Sequence, residues 1–169
     1  GKNVKIMAVS SLQQSLKKLA KKSAKVQLDP GNVPFWIDSL LRSQGAAIYN
    51  NTDPCQNMKA CKNKVEIQGA RIAHERDGAI LCTLFSWLNK TVKTKSVDEI
   101  TIDTKLESLR SKEPQYRGPS FPAITGSGPN GAIVHYRVTP STNRIMRNNE
   151  LFLLDCGAQY LEGTTDVTR

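Results

Sequence analysis

The sequence predicts a mixed α/β (α+β) chain of helices and strands, and three observations support this. Residues 10–50 alternate between segments of helical and of strand periodicity. Two longer helical patterns follow, each preceded by a capping signal. From Gly118 onwards, glycines and prolines separate segments with strand-like alternation. The 169 residues, 38% of them hydrophobic, are sufficient for a packed core.

The first 50 residues predict the order helix, strand, helix, strand. Leucines recur at helical spacing in residues 10–22 behind a serine, with lysines on the opposite face. KVQLD is typical of a short strand, FWIDSLLRSQ of a helix and AAIYN of a second strand. Because so few elements cannot close a sheet, residues 1–53 are interpreted as the end of a larger domain.

Two helices open the second predicted domain, residues 54–169, which begins after a polar stretch. Asn63 and Glu66 have the spacing of a capping box before a helical pattern of about 28 residues. Ser96 and Glu99 have the same spacing before a shorter helix. Both helices therefore precede the glycine-rich part of the chain.

The remainder of the chain predicts strands. In GAIVHYRV the alternation of residues predicts a strand with His135 near its middle. LFLLD is apolar on both faces, as expected of a covered strand, and it ends at Asp155. A histidine is thus predicted within one strand and an aspartate at the end of another.

Asp155 and Asp166, eleven residues apart, form the most informative pair of the sequence. If the chain turns near residues 160–163, the flanking strands pair antiparallel and present both carboxylates on one face, with Cβ atoms about 5 Å apart. Two such carboxylates repel each other unless a proton or a cation lies between them, and hard divalent ions favour oxygen ligands. Spacing alone leaves open that Asp155 ends a strand and Asp166 lies in an exposed loop.

Charge and composition exclude several classes of partner. The net charge is +9, and residues 1–25 hold seven lysines and no acid. Because this segment has no arginine or aromatic residue, a solvated helix face is favoured and no nucleic-acid partner is expected. No apolar run is long enough to span a membrane and no signal peptide is recognisable, so a soluble protein without a membrane partner is expected. Four cysteines without CxxC spacing favour a reducing, cytoplasmic location.

Two segments carry a resemblance to a known family. FPAITGSGPNGAIVHYR and LLDCGAQYLEGTTDVTR resemble the catalytic domain of the X-Pro aminopeptidases (aminopeptidase P), which are pita-bread metallopeptidases. NMKACKNKVEIQGARIAHERDGAIL resembles the start of that domain. The resemblance implies the end of a creatinase-type N-terminal domain in residues 1–53 and the first half of the pita-bread catalytic domain in residues 54–169.

The resemblance also implies roles for three residues. Asp155 matches the aspartate that chelates one metal ion, and Asp166 matches the aspartate that bridges two. His135 matches the catalytic histidine that contacts the substrate and helps to handle protons or to stabilise the tetrahedral intermediate. The implied cofactors are two divalent ions, Mn(II) in the first place, with Co(II) or Zn(II) as alternatives. The family's other ligands, two glutamates and a histidine, follow the position of Asp166, so the site is incomplete in these 169 residues.

The implied activity is that of a metal-dependent aminopeptidase that releases the N-terminal residue from peptides with proline in second position. A hydroxide activated by the dinuclear metal centre would attack the scissile carbonyl. The 169-residue chain alone is expected to be inactive. A prolidase acting on X-Pro dipeptides, a non-catalytic pita-bread domain and a basic interaction module remain alternatives, and a homodimer of the intact protein is left open.

Three further residues are assigned no role. His74 lies beside the charged residues 75–77 of the long helix and is interpreted as a surface residue. Cys156 follows Asp155 and is expected to point to the opposite face of the strand. Arg137 shares the predicted face of His135 but is not favoured as a substrate contact.

Overall fold

The computed structural model describes residues 4–21 and 23–169. Lys2 and Lys22, part of the lysine-rich segment, lie outside the described residues. The chain divides into two compact units between Lys62 and Asn63. The boundary predicted after residue 53 falls within the first unit. Within the described ranges, every helix is either too short or too polar to traverse a lipid bilayer.

The first unit has the predicted alternation of helices and strands. Its elements are α1 (Leu12–Ala20), β1 (Lys25–Leu28), α2 (Phe35–Ser43), β2 (Ala47–Asn50) and α3 (Pro54–Ala60). Strands β1 and β2 pair in parallel. The sequence did not predict α3, which follows the polar stretch: the Asp53 carboxylate accepts a hydrogen bond from the Cys55 amide and caps this short helix.

The second unit packs two helices against an antiparallel sheet. Its elements are α4 (Lys64–Thr91), α5 (Glu99–Arg110), β3 (Tyr116–Ser127), β4 (Phe152–Tyr160) and β5 (Val167–Thr168). The strand order is β3, β4, β5, with both pairs antiparallel. The core lies between α4, α5 and one face of β4, where Leu154 and Cys156 are buried.

Helix α4 confirms the strongest local prediction. It has 28 residues, and both hydrogen bonds of the capping box form. The Glu66 amide donates to Asn63 Oδ1 at 3.0 Å, and the Asn63 amide donates to Glu66 Oε2 at 2.8 Å. The signal works because every group it needs lies within four consecutive residues.

Helix α5 begins differently from the prediction. Ser96 is not its cap; Asp98 is, and Asp98 Oδ1 accepts from the Thr101 amide at 2.7 Å. Glu99, the predicted partner of Ser96, is completely buried. Its carboxylate turns inward because backbone and side-chain donors from a later segment of the chain surround it there. A local sequence pattern does not contain these donors.

The predicted strand in GAIVHYRV is wrong. Residues Gly128–Ala132 form a short 3₁₀ helix, and His135 follows in an irregular loop with a left-handed backbone, φ 54°. The strand lies earlier, in β3, which contains Pro119 and Pro122. Proline is tolerated there because β3 is an edge strand of the described sheet and its register with β4 is interrupted.

The cap of α5 can be tested with a matched pair of substitutions. Asp98→Ala should lower the free energy of unfolding by about 1 kcal/mol, whereas Ser96→Ala should leave it unchanged, because only Asp98 caps the helix. The hydrogen bonds from Thr101 lower the pKa of Asp98 below its ordinary value of 3.8. The cap's contribution is therefore complete above that value and is lost as the pH falls through the folded-state pKa. Urea unfolding of both variants at several pH values measures this, and equal losses in both would contradict it.

Candidate metal centre

A tight antiparallel hairpin carries the two candidate metal ligands. Asp155 pairs with Thr168 and Cys156 with Val167. The Leu154 and Arg169 backbones exchange two hydrogen bonds of 2.8 Å, and the Tyr160 amide donates to the Gly163 carbonyl at 2.9 Å. The chain therefore turns where the spacing of the two aspartates predicts.

The register places Asp155 and Asp166 on the same face of the hairpin. Asp166 lies opposite Gly157, so the two aspartates are diagonal neighbours and stand further apart than the directly opposed pair that the sequence predicts. Asp155 is half-buried and Asp166 is exposed. The Thr168 hydroxyl donates to Asp155 Oδ1 at 2.9 Å and orients that carboxylate.

Cys156 faces the other way, as the sequence predicts. Its side chain is buried in the core between the sheet and the helices. Burial raises the pKa of the Cys156 thiol, although the neighbouring Arg110 partly opposes this. A thiol buried on the opposite face of the strand cannot join the two aspartates in binding an ion.

An open cavity of about 300 Å³ contains all three predicted site residues. Asp155, Asp166 and His135 line it together with Arg137, and the remaining wall is formed by Phe121, Pro122, Ile124 and Tyr136. The structure thus brings His135 to the aspartates although His135 does not lie on a strand. Arg137, which is not favoured as a substrate contact on sequence grounds, also lines the cavity.

One buried carboxylate holds the loop that carries His135. Glu99 accepts hydrogen bonds from the Ser127 amide at 2.7 Å, the Arg144 amide at 3.0 Å and the Tyr136 hydroxyl at 2.8 Å. The Asn130 side chain donates to the same carboxylate. Residues at both ends and in the middle of the loop therefore bind the same carboxylate, and these contacts hold His135 at the cavity.

Tyr136 is the residue that ties His135 to Glu99. It is only 5% exposed. Burial raises the pKa of its hydroxyl above the ordinary 10.0, and the contact with Glu99 adds to this although a hydrogen bond with Thr142 opposes it. The hydroxyl stays protonated and keeps its proton available for donation to Glu99.

A second buried carboxylate, Asp77, is not predicted from the sequence. His74 is exposed, as predicted, but its neighbour Asp77 is fully buried and paired with Arg110, which is 2% exposed. The available signal was its position in α4. Asp77 lies four residues after Ala73 and three before Ile80, on the apolar face of the helix.

The donor set fits a hard divalent cation but is small. The carboxylates of Asp155 and Asp166 offer oxygen ligands on one open face, the chemistry that Mn²⁺ and similar ions use. Residues 4–21 and 23–169 contain no group of three or more His, Cys, Asp or Glu side chains placed to hold a metal ion. Within the described residues, these two aspartates are the carboxylates that the cavity offers to such an ion.

Two family descriptions match the chain. Residues 68–169 match metallopeptidase family M24, and residues 1–66 match the creatinase/prolidase N-terminal domain. Among curated proteins, the Xaa-Pro aminopeptidase ApepP of Drosophila melanogaster is 51% identical over 113 residues, which are 66% of this chain and 18% of that protein. A probable Xaa-Pro aminopeptidase P of Aspergillus fumigatus is 43% identical over 140 residues, 82% of this chain and 21% of that protein.

A solved structure resembles the whole chain. The X-prolyl aminopeptidase from Caenorhabditis elegans, described as a cytosolic enzyme with a di-nuclear active site, matches with a TM-score of 0.86 and 35% sequence identity. The match covers 99% of this chain and 28% of the other. The chain spans about a fifth of the length of the curated relatives it matches.

The anchoring of the His135 loop can be tested by Glu99→Gln. Because an amide presents only one acceptor atom to this cluster of donors, the substitution should cost about 1.5–3 kcal/mol of unfolding free energy. The amides of Ser127 and Arg144, which donate to Glu99, should exchange hydrogen faster. Glu107→Gln changes an exposed carboxylate on the same helix that accepts from the Tyr116 hydroxyl and not from these amides, so as the control it should leave their hydrogen exchange unchanged. Unchanged exchange in Glu99→Gln would refute the anchoring role.

Proposed function

Because the chain belongs to metallopeptidase family M24, we propose that it is part of a metal-dependent aminopeptidase. The proposed enzyme releases the N-terminal residue from peptides with proline in second position. One observation carries the proposal: Asp155, Asp166 and His135 line a single open cavity. The similarity to proteins named Xaa-Pro aminopeptidase supports the substrate class.

In this proposal the two aspartates divide the work of binding metal. Asp155, oriented by Thr168, would hold one ion, and the more exposed Asp166 would be a ligand of both. Mn(II) is the proposed ion, with Co(II) or Zn(II) as alternatives. When bound, a pair of divalent ions supplies Lewis acidity and lowers the pKa of water for attack on a carbonyl. The remaining ligands are proposed to come from other parts of a longer polypeptide.

His135 is proposed to act on the substrate itself. Its side chain is exposed to the cavity, and its backbone is held in a left-handed conformation that non-glycine residues adopt at an energetic cost. From this position it would hold a proton at an imidazole nitrogen and donate a hydrogen bond to the scissile carbonyl oxygen as negative charge develops there. The Glu99–Tyr136 contact keeps it in place.

The proposal includes the domain arrangement and the location. Residues 1–53 would form the end of a creatinase-like N-terminal domain, and residues 54–169 would form the first half of the pita-bread catalytic domain. A cytoplasmic location is proposed because the cysteines are unpaired and the C. elegans enzyme is described as cytosolic.

The activity is tested on full-length protein that contains this chain. With Mn²⁺ it should cleave an X-Pro-Y tripeptide but not the matching X-Ala-Y peptide, and a chelator should stop the reaction. Asp155→Asn and Asp166→Asn should reduce hydrolysis to the background rate, because each removes a charged ligand. Asp38→Asn is the matched control, since Asp38 bonds Arg42 in the first unit.

Three outcomes would contradict parts of the proposal. Cleavage of X-Pro dipeptides but not of X-Pro-Y peptides would identify a prolidase instead. Full activity in both aspartate variants would remove the metal role of the hairpin. Chelator-sensitive turnover by the 169-residue chain alone would show that these residues need no further ligands.

The role of His135 is tested by His135→Asn and His135→Ala. Asparagine tolerates the left-handed backbone, so His135→Asn separates chemistry from conformational strain. In both variants kcat should fall about 10²–10⁴-fold, the usual contribution of a proton-handling group. KM and the free energy of unfolding should change little in His135→Asn. A kcat within twofold of the wild-type value would exclude a catalytic role for the imidazole.

A further inference from the structure

We propose that Asp77, Arg110 and Thr165 are positioning residues that set the geometry of Asp155 and Asp166. They form a buried clamp, defined here as these three side chains, that holds both strands of the hairpin beside the two aspartates. The inference rests on the proposed metal function. The clamp side chains do not line the cavity, but they fix the positions of Asp155 and Asp166, which do.

On β4 the clamp holds the residues directly after Asp155. Arg110 Nη1 donates to the Gly157 carbonyl at 3.0 Å, and Arg110 Nη2 contacts Cys156 Sγ at 3.3 Å. The guanidinium is planar and its donors point in fixed directions. Two contacts to consecutive residues therefore fix both the position and the rotation of β4 directly after Asp155.

On the opposite strand the clamp holds the residue directly before Asp166. Thr165 is fully buried, and its hydroxyl donates to Asp77 Oδ2 at 2.7 Å. The same hydroxyl accepts from the Ala158 amide at 3.0 Å, while the Thr165 carbonyl accepts from the Ser120 hydroxyl. A side-chain oxygen thus takes the place of a backbone acceptor in the ladder. This hydroxyl therefore acts together with the Thr165 amide, which donates to the Ala158 carbonyl at 2.9 Å, to hold the chain before Asp166.

The clamp leaves no acceptor position of Asp77 free. Oδ1 accepts from Arg110 Nε at 2.9 Å and from the Tyr160 hydroxyl at 3.0 Å. Oδ2 accepts from Arg110 Nη2 at 2.9 Å and from Thr165. A carboxylate with four donors at its lone pairs cannot rotate without losing hydrogen bonds. Asp77 is therefore held in one orientation, and it connects α5 to both strands of the hairpin.

Arg110 keeps its charge although it is buried. Burial acts to lower the pKa of Arg110, but the hydrogen bonds and charges of Asp77 and Cys156 together outweigh this, and the pKa is raised overall. Burial and the contact with Asp77 also raise the pKa of Tyr160, which stays a neutral donor. Buried ion pairs contribute little net stability compared with apolar residues of the same size. The buried Asp77–Arg110 pair is therefore better explained by its role in positioning the hairpin than by a gain in stability.

Close packing surrounds Gly157 on β4. A Cβ atom at this position would lie 2.1 Å from Ser120 Oγ and 2.2 Å from the Thr165 carbonyl oxygen. The β4 backbone opposite Asp166 therefore packs directly against Ser120 and Thr165.

The test compares Thr165→Val with Thr165→Ser in full-length protein, by calorimetric titration with Mn²⁺. Valine keeps the shape of threonine and removes the hydroxyl, whereas serine keeps the hydroxyl. Thr165→Val should bind Mn²⁺ 10–100-fold more weakly than wild type, the usual effect of losing support behind a metal ligand. Thr165→Ser should restore binding to within a few-fold. Leu88→Ala is the control: it creates a cavity in the same core and should lower the free energy of unfolding without changing Mn²⁺ affinity.

Ser120→Ala provides a second variant in case Thr165→Val does not fold. It removes the donor to the Thr165 carbonyl at a half-buried position and should also weaken Mn²⁺ binding. Wild-type affinity in Thr165→Val, or in Ser120→Ala if only that variant folds, would overturn the inference while the proposed function stands. Equal weakening by Leu88→Ala would also overturn it. Wild-type protein that binds no Mn²⁺ would overturn the proposed function, and the inference with it.

Discussion

The register of the β4–β5 hairpin is the constraint on which the candidate site depends. Leu154, Cys156 and Ala158 face the helices and are almost completely buried, so the alternate residue Asp155 must face the cavity. A slip of one residue would bury the aspartate and expose the apolar side chains, which the hydrophobic effect opposes strongly. The packing that stabilises the second unit is therefore also what places a carboxylate at the site.

Features that depend on neighbouring residues could be predicted from the sequence. The capping box of α4 needs only Asn63 and Glu66, and it forms. The hairpin needs only alternation and a turn between two aspartates, and both are present. The resemblance to a metallopeptidase catalytic domain likewise rests on contiguous segments, and the family is confirmed.

Features that depend on distant partners were mispredicted or missed. Glu99 has the spacing of a local cap, but its partners lie 28 to 45 residues further along the chain and draw it into the core. Ile133 and Val134 alternate like strand residues, yet both are exposed in the structure. The loop around them is held by hydrogen bonds to Glu99 through Tyr136, so its apolar pattern does not reflect burial in a sheet. Asp77 shows the same limit, since its position on an apolar face is visible but its partners are not.

The long separation between the clamp residues has a consequence for the order of folding. The hairpin closes a loop of a few residues, whereas the contact between Asp77 and Thr165 joins groups 88 residues apart. Closing the longer loop costs more chain entropy, and it can be repaid only after α4, α5 and the sheet have come together. The two aspartates can share a face as soon as the hairpin forms, but they reach their final spacing only when this long-range contact is made. Folding of the second unit and the final placement of the two aspartates therefore end in the same step.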